Sequence, residues 1–97
     1  MFSYTAKTSV TASTDLHSYD CAFVSGTSAI TITLPEPTTI PVGTLKRIKK
    51  TGASGTITVQ SAGGATIDGA ASYALSTQWK YVNLISDGVN WFVFAAN

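Results

Sequence analysis

The sequence predicts an all-β fold, a compact antiparallel β-sandwich or barrel. Three observations carry that expectation. Thr, Val and Ile dominate the chain while Glu occurs once and Leu is sparse, and β-branched side chains suit a pleated, half-buried surface better than a helix. Several short segments alternate apolar and polar residues, and none keeps the i, i+3, i+4, i+7 spacing of an amphipathic helix. Turn residues recur about every eight to twelve positions, the strand spacing of a small sandwich or barrel.

Taken in order, residues 3–14 are mostly polar and lack bulk, which predicts an extended N-terminal arm over residues 1–14. Residues 15–97 then form a single β domain. A first strand is expected from Asp20 to Ser25, and Ser25-Gly26-Thr27 turns the chain. Ala29 to Leu34 alternates strictly, with Ile30, Ile32 and Leu34 on one face and Thr31 and Thr33 on the other. All three prolines fall at positions 35, 37 and 41. Proline removes a donor and breaks a ladder, so 35–43 reads as an irregular crossing loop. Thr44 to Lys50 is a strand with a dense charge cluster, and Thr56 to Gln60 alternates again. A short Thr66-Ile67 piece lies between Gly-rich turns. Strands follow at Ser72 to Ser76 and Trp79 to Ser86. Asp87-Gly88-Val89-Asn90 is a hairpin loop, and Trp91 to Phe94 closes the sheet. Tyr73, Trp79, Tyr81, Trp91, Phe92 and Phe94 place most aromatic bulk late in the chain, so the C-terminal hairpin is expected to centre the core. Thr31-Ile32-Thr33, Thr56-Ile57-Thr58 and Thr66-Ile67-Asp68 look alike at unequal intervals. Without a fixed period they read as shared strand chemistry, not as a solenoid.

Charge limits the function classes. Charged residues are 11% of the 97, under half the roughly 25% of an average protein. The formal net charge of +1 gives no general pull toward nucleic acid or an anionic membrane, and no apolar run approaches the roughly 18 residues of a membrane span. The start Met-Phe-Ser-Tyr-Thr-Ala-Lys has no basic stretch followed by an apolar one, so it reads as a chain made in a cytoplasm. A small chain with a thin core and Cys21 as its one cysteine has oligomerisation as its remaining staple. Cys21 reads as a small buried thiol.

The candidate reactive groups point away from catalysis. His17 lies near Asp15, Ser18 and Asp20, but neighbours along one strand alternate faces, and triad members normally come from different elements. Asp68 and Asp87 each precede Gly, where Asp serves a turn. One His and one Cys cannot build a zinc site within a chain, so neither metal nor cofactor is expected. Lys46, Arg47, Lys49 and Lys50 hold four of the six cations. The cluster reads as an edge strand guarded against unwanted pairing, or as an intersubunit charge cluster. The aromatics also admit a sugar platform for a host glycan.

From about residue 20 to 95 the chain resembles a recurrent module of tailed-bacteriophage virion proteins. The resemblance rests on an ordered set: Ile32-Thr33-Leu34-Pro35; Pro41-Val42-Gly43; Arg47-Ile48-Lys49-Lys50-Thr51; Gly55-Thr56-Ile57-Thr58-Val59; Ala65-Thr66-Ile67-Asp68-Gly69-Ala70-Ala71; Tyr73-Ala74-Leu75-Ser76; and Val82 to Trp91. Such modules occur in tail fibres, head fibres and capsid-surface proteins. The resemblance implies a β-rich homotrimer with a structural role. With only about twenty residues ahead of the module there is no room for a fibre shaft. The expectation is therefore a capsid decoration, or cement, protein on the outside of the virion head that bridges subunits of the major capsid protein. The alternative is a fibre component binding a host receptor or glycan. Phe2, Tyr4 and Lys7 of the arm are the expected capsid-docking residues, since arms gain contact area by ordering on a partner.

Overall fold

Among the described residues the fold is built from nine strands and is mostly β, at 47% strand. The structure, a computed structural model, describes residues 5–97. In chain order the strands are β1 (Ala6–Val10), β2 (Thr14–Asp15), β3 (Cys21–Val24), β4 (Ile30–Leu34), β5 (Leu45–Lys50), β6 (Ile57–Ser61), β7 (Tyr73–Leu75), β8 (Tyr81–Ser86) and β9 (Trp91–Ala96). The expected strands are nearly all present, within a residue or two of their expected bounds. The exception is Trp79, which has a left-handed φ of 74°. That conformation cannot continue an extended run, and β8 starts two residues later.

The strands form two sheets, ordered β1-β3-β5-β8-β9 and β2-β4-β6-β7. The first six strands alternate between them. β1, β3 and β5 pair in parallel in one sheet, and β2, β4 and β6 pair in parallel in the other. Each parallel crossover therefore passes through the opposite sheet, and the chain winds through three flattened coils. This corrects two expectations. The sheets are mixed, not antiparallel, and they do not close into a barrel. Two of the three look-alike Thr-Ile pieces lie on adjacent coils, offset by two residues, since Ile30 pairs with Ile57, Thr31 with Thr58 and Ile32 with Val59; Ile67 of the third bridges Ala70 and Trp91 instead. The period varies because loops of different length are spliced between coils. Cys21 follows its ladder partner Ala6 by 15 residues, whereas Arg47 follows Cys21 by 26.

The coil corners repeat a single hydrogen-bond pattern. The Val10 carbonyl accepts from the N–H groups of Ser25 and Gly26, and the Val24 carbonyl accepts from those of Thr51 and Gly52. Gly52 is needed for this stacking: a Cβ there would collide with the backbone carbonyl oxygen of Gly26 in the coil beside it. The last three strands reverse direction. β7 pairs antiparallel with β6, β8 with β5, and β9 with β8.

The core lies between the sheets. The alternation of β4 is as expected, with Ile30, Ile32 and Leu34 buried. They pack with Val10, Ala22, Val24, Ile48, Val82, Leu84 and Trp91 from the other sheet. Such a side chain contributes about 1.5–3 kcal/mol when fully buried. The described part of the N-terminal arm is extended, but it is not wholly outside the core. Residues 6–10 are extended but sheet-paired, and Val10 joins the core. The Val24-like position of Val10 in the winding draws it in.

The aromatic expectation is also corrected. Of the six late aromatics, Trp91 is fully buried and Tyr73 packs partly against the core, while Tyr81 is half-buried outside it. Trp79, Phe92 and Phe94 are exposed at 56%, 40% and 68%. Phe92 lies on the outward side of β9, a sheet edge, and Phe94 is the extra residue of a bulge: Leu84 pairs with Val93 but Asn83 with Ala95. The hairpin thus closes one edge of the sheet and does not centre the core.

Candidate functional site

β5, the basic strand, is the middle strand of its sheet, between β3 and β8. The edge-guard reading therefore fails. Strand alternation divides the cluster into two pairs with different surroundings. Lys46 and Lys50 point inward, at 4% and 1% exposure. Lys46 Nζ donates to the Tyr19 carbonyl at 2.6 Å, and Lys50 Nζ donates to the Gly52 and Ser54 carbonyls at 2.7 and 3.0 Å. Both ammonium groups reach past the apolar layer to loop carbonyls. Burial lowers the Lys46 pKa, and the nearby Asp20 carboxylate opposes that shift. These two lysines hold loops together.

Arg47 and Lys49 point outward. Cross-strand register sets them in two rows over the sheet: Cys21–Arg47–Asn83 and Phe23–Lys49–Tyr81. Lys49 Nζ donates to the Trp79 carbonyl at 2.7 Å and stands 5.5 Å from the centre of the Tyr81 ring. Together these side chains line a groove of about 320 Å³. Its floor is apolar and its rim is cationic. Cys21 is half-buried in this groove, not in the core. Burial raises its thiol pKa, and Arg47 pulls the other way. The sequence offered no cation beside Cys21; the ladder supplies one from 26 residues away.

A second groove, of about 490 Å³, opens beside the first coil between β1 and β2. Lys7 spans it. Its Nζ donates to Thr14 Oγ1 at 2.8 Å and lies 4.7 Å from the centre of the Tyr19 ring. β1 and β2 are edge strands of their respective sheets. Phe2 and Tyr4, the other expected docking residues, lie outside the described residues.

The remaining candidates resolve into turns. His17 Nδ1 stands 3.2 Å from Asp15 Oδ1, with both side chains more than half exposed. The same carboxylate oxygen accepts from the His17 N–H, an Asx turn that lowers the Asp15 pKa. Asp87 Oδ1 accepts from the Val89 and Asn90 N–H groups. Asp68 Oδ1 accepts from the N–H of Val93, and the Asp68 N–H donates to the Trp91 carbonyl. The Thr66–Asp68 piece therefore covers the start of the β9 edge. Among the described residues no three His, Cys, Asp or Glu side chains are grouped to hold a metal. No protein-family model and no curated protein matches the chain.

Proposed function

We propose that this protein is a non-catalytic structural component of a bacteriophage virion: a capsid decoration protein that acts as a homotrimer on the outside of the head and bridges neighbouring capsid subunits. The resemblance of the ordered motifs over residues 20–95 points to the class. The observation that carries the docking assignment is the first coil. Its two strands are the edges of both sheets at one end of the winding, beside an open groove that Lys7 crosses. Edge strands offer backbone groups to an added strand from a partner. Many copies per particle make weak contacts sufficient through multivalency.

Co-sedimentation with purified heads of the encoding phage tests the reading. Near-stoichiometric recovery on heads is expected, and a few copies confined to tails would overturn it. The exposed ring of Trp79 favours a second reading, a fibre component that stacks a host glycan on its aromatics. That reading predicts binding to host cells by the protein without other virion parts.

A further inference from the structure

The outward face of the five-stranded sheet carries two complementary patches. One is the groove between β3, β5 and β8, with an apolar floor at Cys21 and Phe23 and cations at Arg47 and Lys49. The other is β9, two strands from β5 in the same sheet. β9 has no charged residue, exposes Phe92 and Phe94, and is flanked by the exposed carboxylates of Asp68 and Asp87. Within one molecule the patches lie side by side on one sheet and cannot meet.

We propose that the Phe92–Phe94 edge of one copy seats in the Phe23–Arg47–Lys49–Tyr81 groove of the next, so that identical head-to-tail contacts close the homotrimer. The partner is thus a second copy of this chain. Two features of the face select it. Phenyl rings fit the apolar floor and meet cations at its rim, where the ring face attracts the positive charge once water is excluded. The carboxylates beside β9 approach Arg47 and Lys49, which gives the contact its direction. Stacking the same patch on itself would instead set Arg47 and Lys49 against their own copies. A head-to-tail contact uses two different patches and closes into a ring when the rotation permits. This proposal shares with the proposed function only the homotrimer; capsid binding is separate.

Cys21 in the groove makes a direct test. A Phe94→Cys protein, oxidised with diamide in its native state, should give covalent dimers and trimers on a non-reducing denaturing gel. Adding Cys21→Ser should abolish both. Val89→Cys at the exposed hairpin tip is the control and should stay uncross-linked. Light scattering on the wild-type chain supplies the second readout, with Lys49→Glu expected to raise the dissociation concentration at least tenfold. If wild-type protein is trimeric but Phe94→Cys does not link to Cys21, the head-to-tail contact is wrong while the trimer stands. Equal cross-linking with Cys21→Ser present would show like patches meeting and would also overturn it. A stable mass near 10 kDa at 100 micromolar would overturn both the contact and the trimer.

Discussion

Lys50 shows how one side chain can be expensive to bury and still hold a fold together. Its ammonium ties down the Gly52 and Ser54 carbonyls, which shape the turn between β5 and β6. Lys50→Met keeps the apolar stem but leaves both carbonyls without that donor. Hydrogen bonds to charged groups contribute about 1.5–3 kcal/mol, so a loss of about 2–3 kcal/mol is expected in urea unfolding at neutral pH. An unchanged midpoint would mean that water replaces the ammonium without cost. Asp87 makes a contrasting prediction at the surface. The N–H groups of Asn90 and Val89 hold its carboxyl below the usual range. A lowered folded pKa means that the unfolded chain binds the proton more readily, so its stabilisation is present above about pH 4 and fades as pH falls through the folded value. Asp87→Asn keeps an acceptor in the turn but cannot titrate. Its stability should therefore fall less steeply than wild type below pH 4, read as Tm against pH. Residue roles were only partly legible in sequence. Turn-forming Asp68 and Asp87 could be read from the Gly that follows each. The burial of Lys46 and Lys50 could not, because lysine pattern gives no sign of which face of a strand lies inward when Leu45, Arg47 and Lys49 alternate against them.

At the level of elements, the strands were legible and their partners were not. β4 and β6 follow from alternation, because a period of two with apolar Ile, Val and Leu leaves one buried face. Pairing depends on what the intervening chain does, and the loop at 35–44 and the turn at 51–56 lengthen the third coil enough to hide the period. One regularity does survive in the sequence. Val10-Thr11-Ala12, Val24-Ser25-Gly26 and Lys50-Thr51-Gly52 occupy successive corners, since Val10 pairs with Val24 and Val24 with Lys50. The last two carry Gly where the backbones come closest. Gly52→Ala should therefore cost about 1–3 kcal/mol by forcing adjacent coils apart. Its φ is not left-handed, so the cost is steric. A urea midpoint equal to wild type would show that the corner relaxes freely. The covering of β9 by Thr66–Asp68 was likewise invisible in sequence, because it depends on a left-handed Asp68, φ 49°, aiming its carboxylate at the Val93 N–H.

For the whole molecule, the winding makes the two ends unequal. In stacked coils each unit is stabilised by its neighbours, and a terminal unit has only one. The antiparallel strands β7, β8 and β9 build over the third coil. The first coil has five residues in β1 and two in β2, and most of them are exposed or half-buried. Its hydrogen bonds to the second coil include Asp20 N–H to the Thr5 carbonyl and Thr31 N–H to Ser13 Oγ, each with an exposed residue as acceptor. Low local contact density and solvent-accessible hydrogen bonds define segments that open below the global unfolding free energy. Amide hydrogen exchange should therefore rank the molecule from end to end, with β1 and β2 least protected and β5, β8, β4 and β6 most. Equal protection in the first and third coils would reject this gradient and make the fold a single cooperative unit. The gradient also bears on docking. A coil that opens at low cost can exchange its own edge contacts for those of a partner strand, so a bound head should raise protection in residues 6–15 more than in β5 or β8. Protection gained only on β8 and β9 would instead move the docking surface to the other side of the winding.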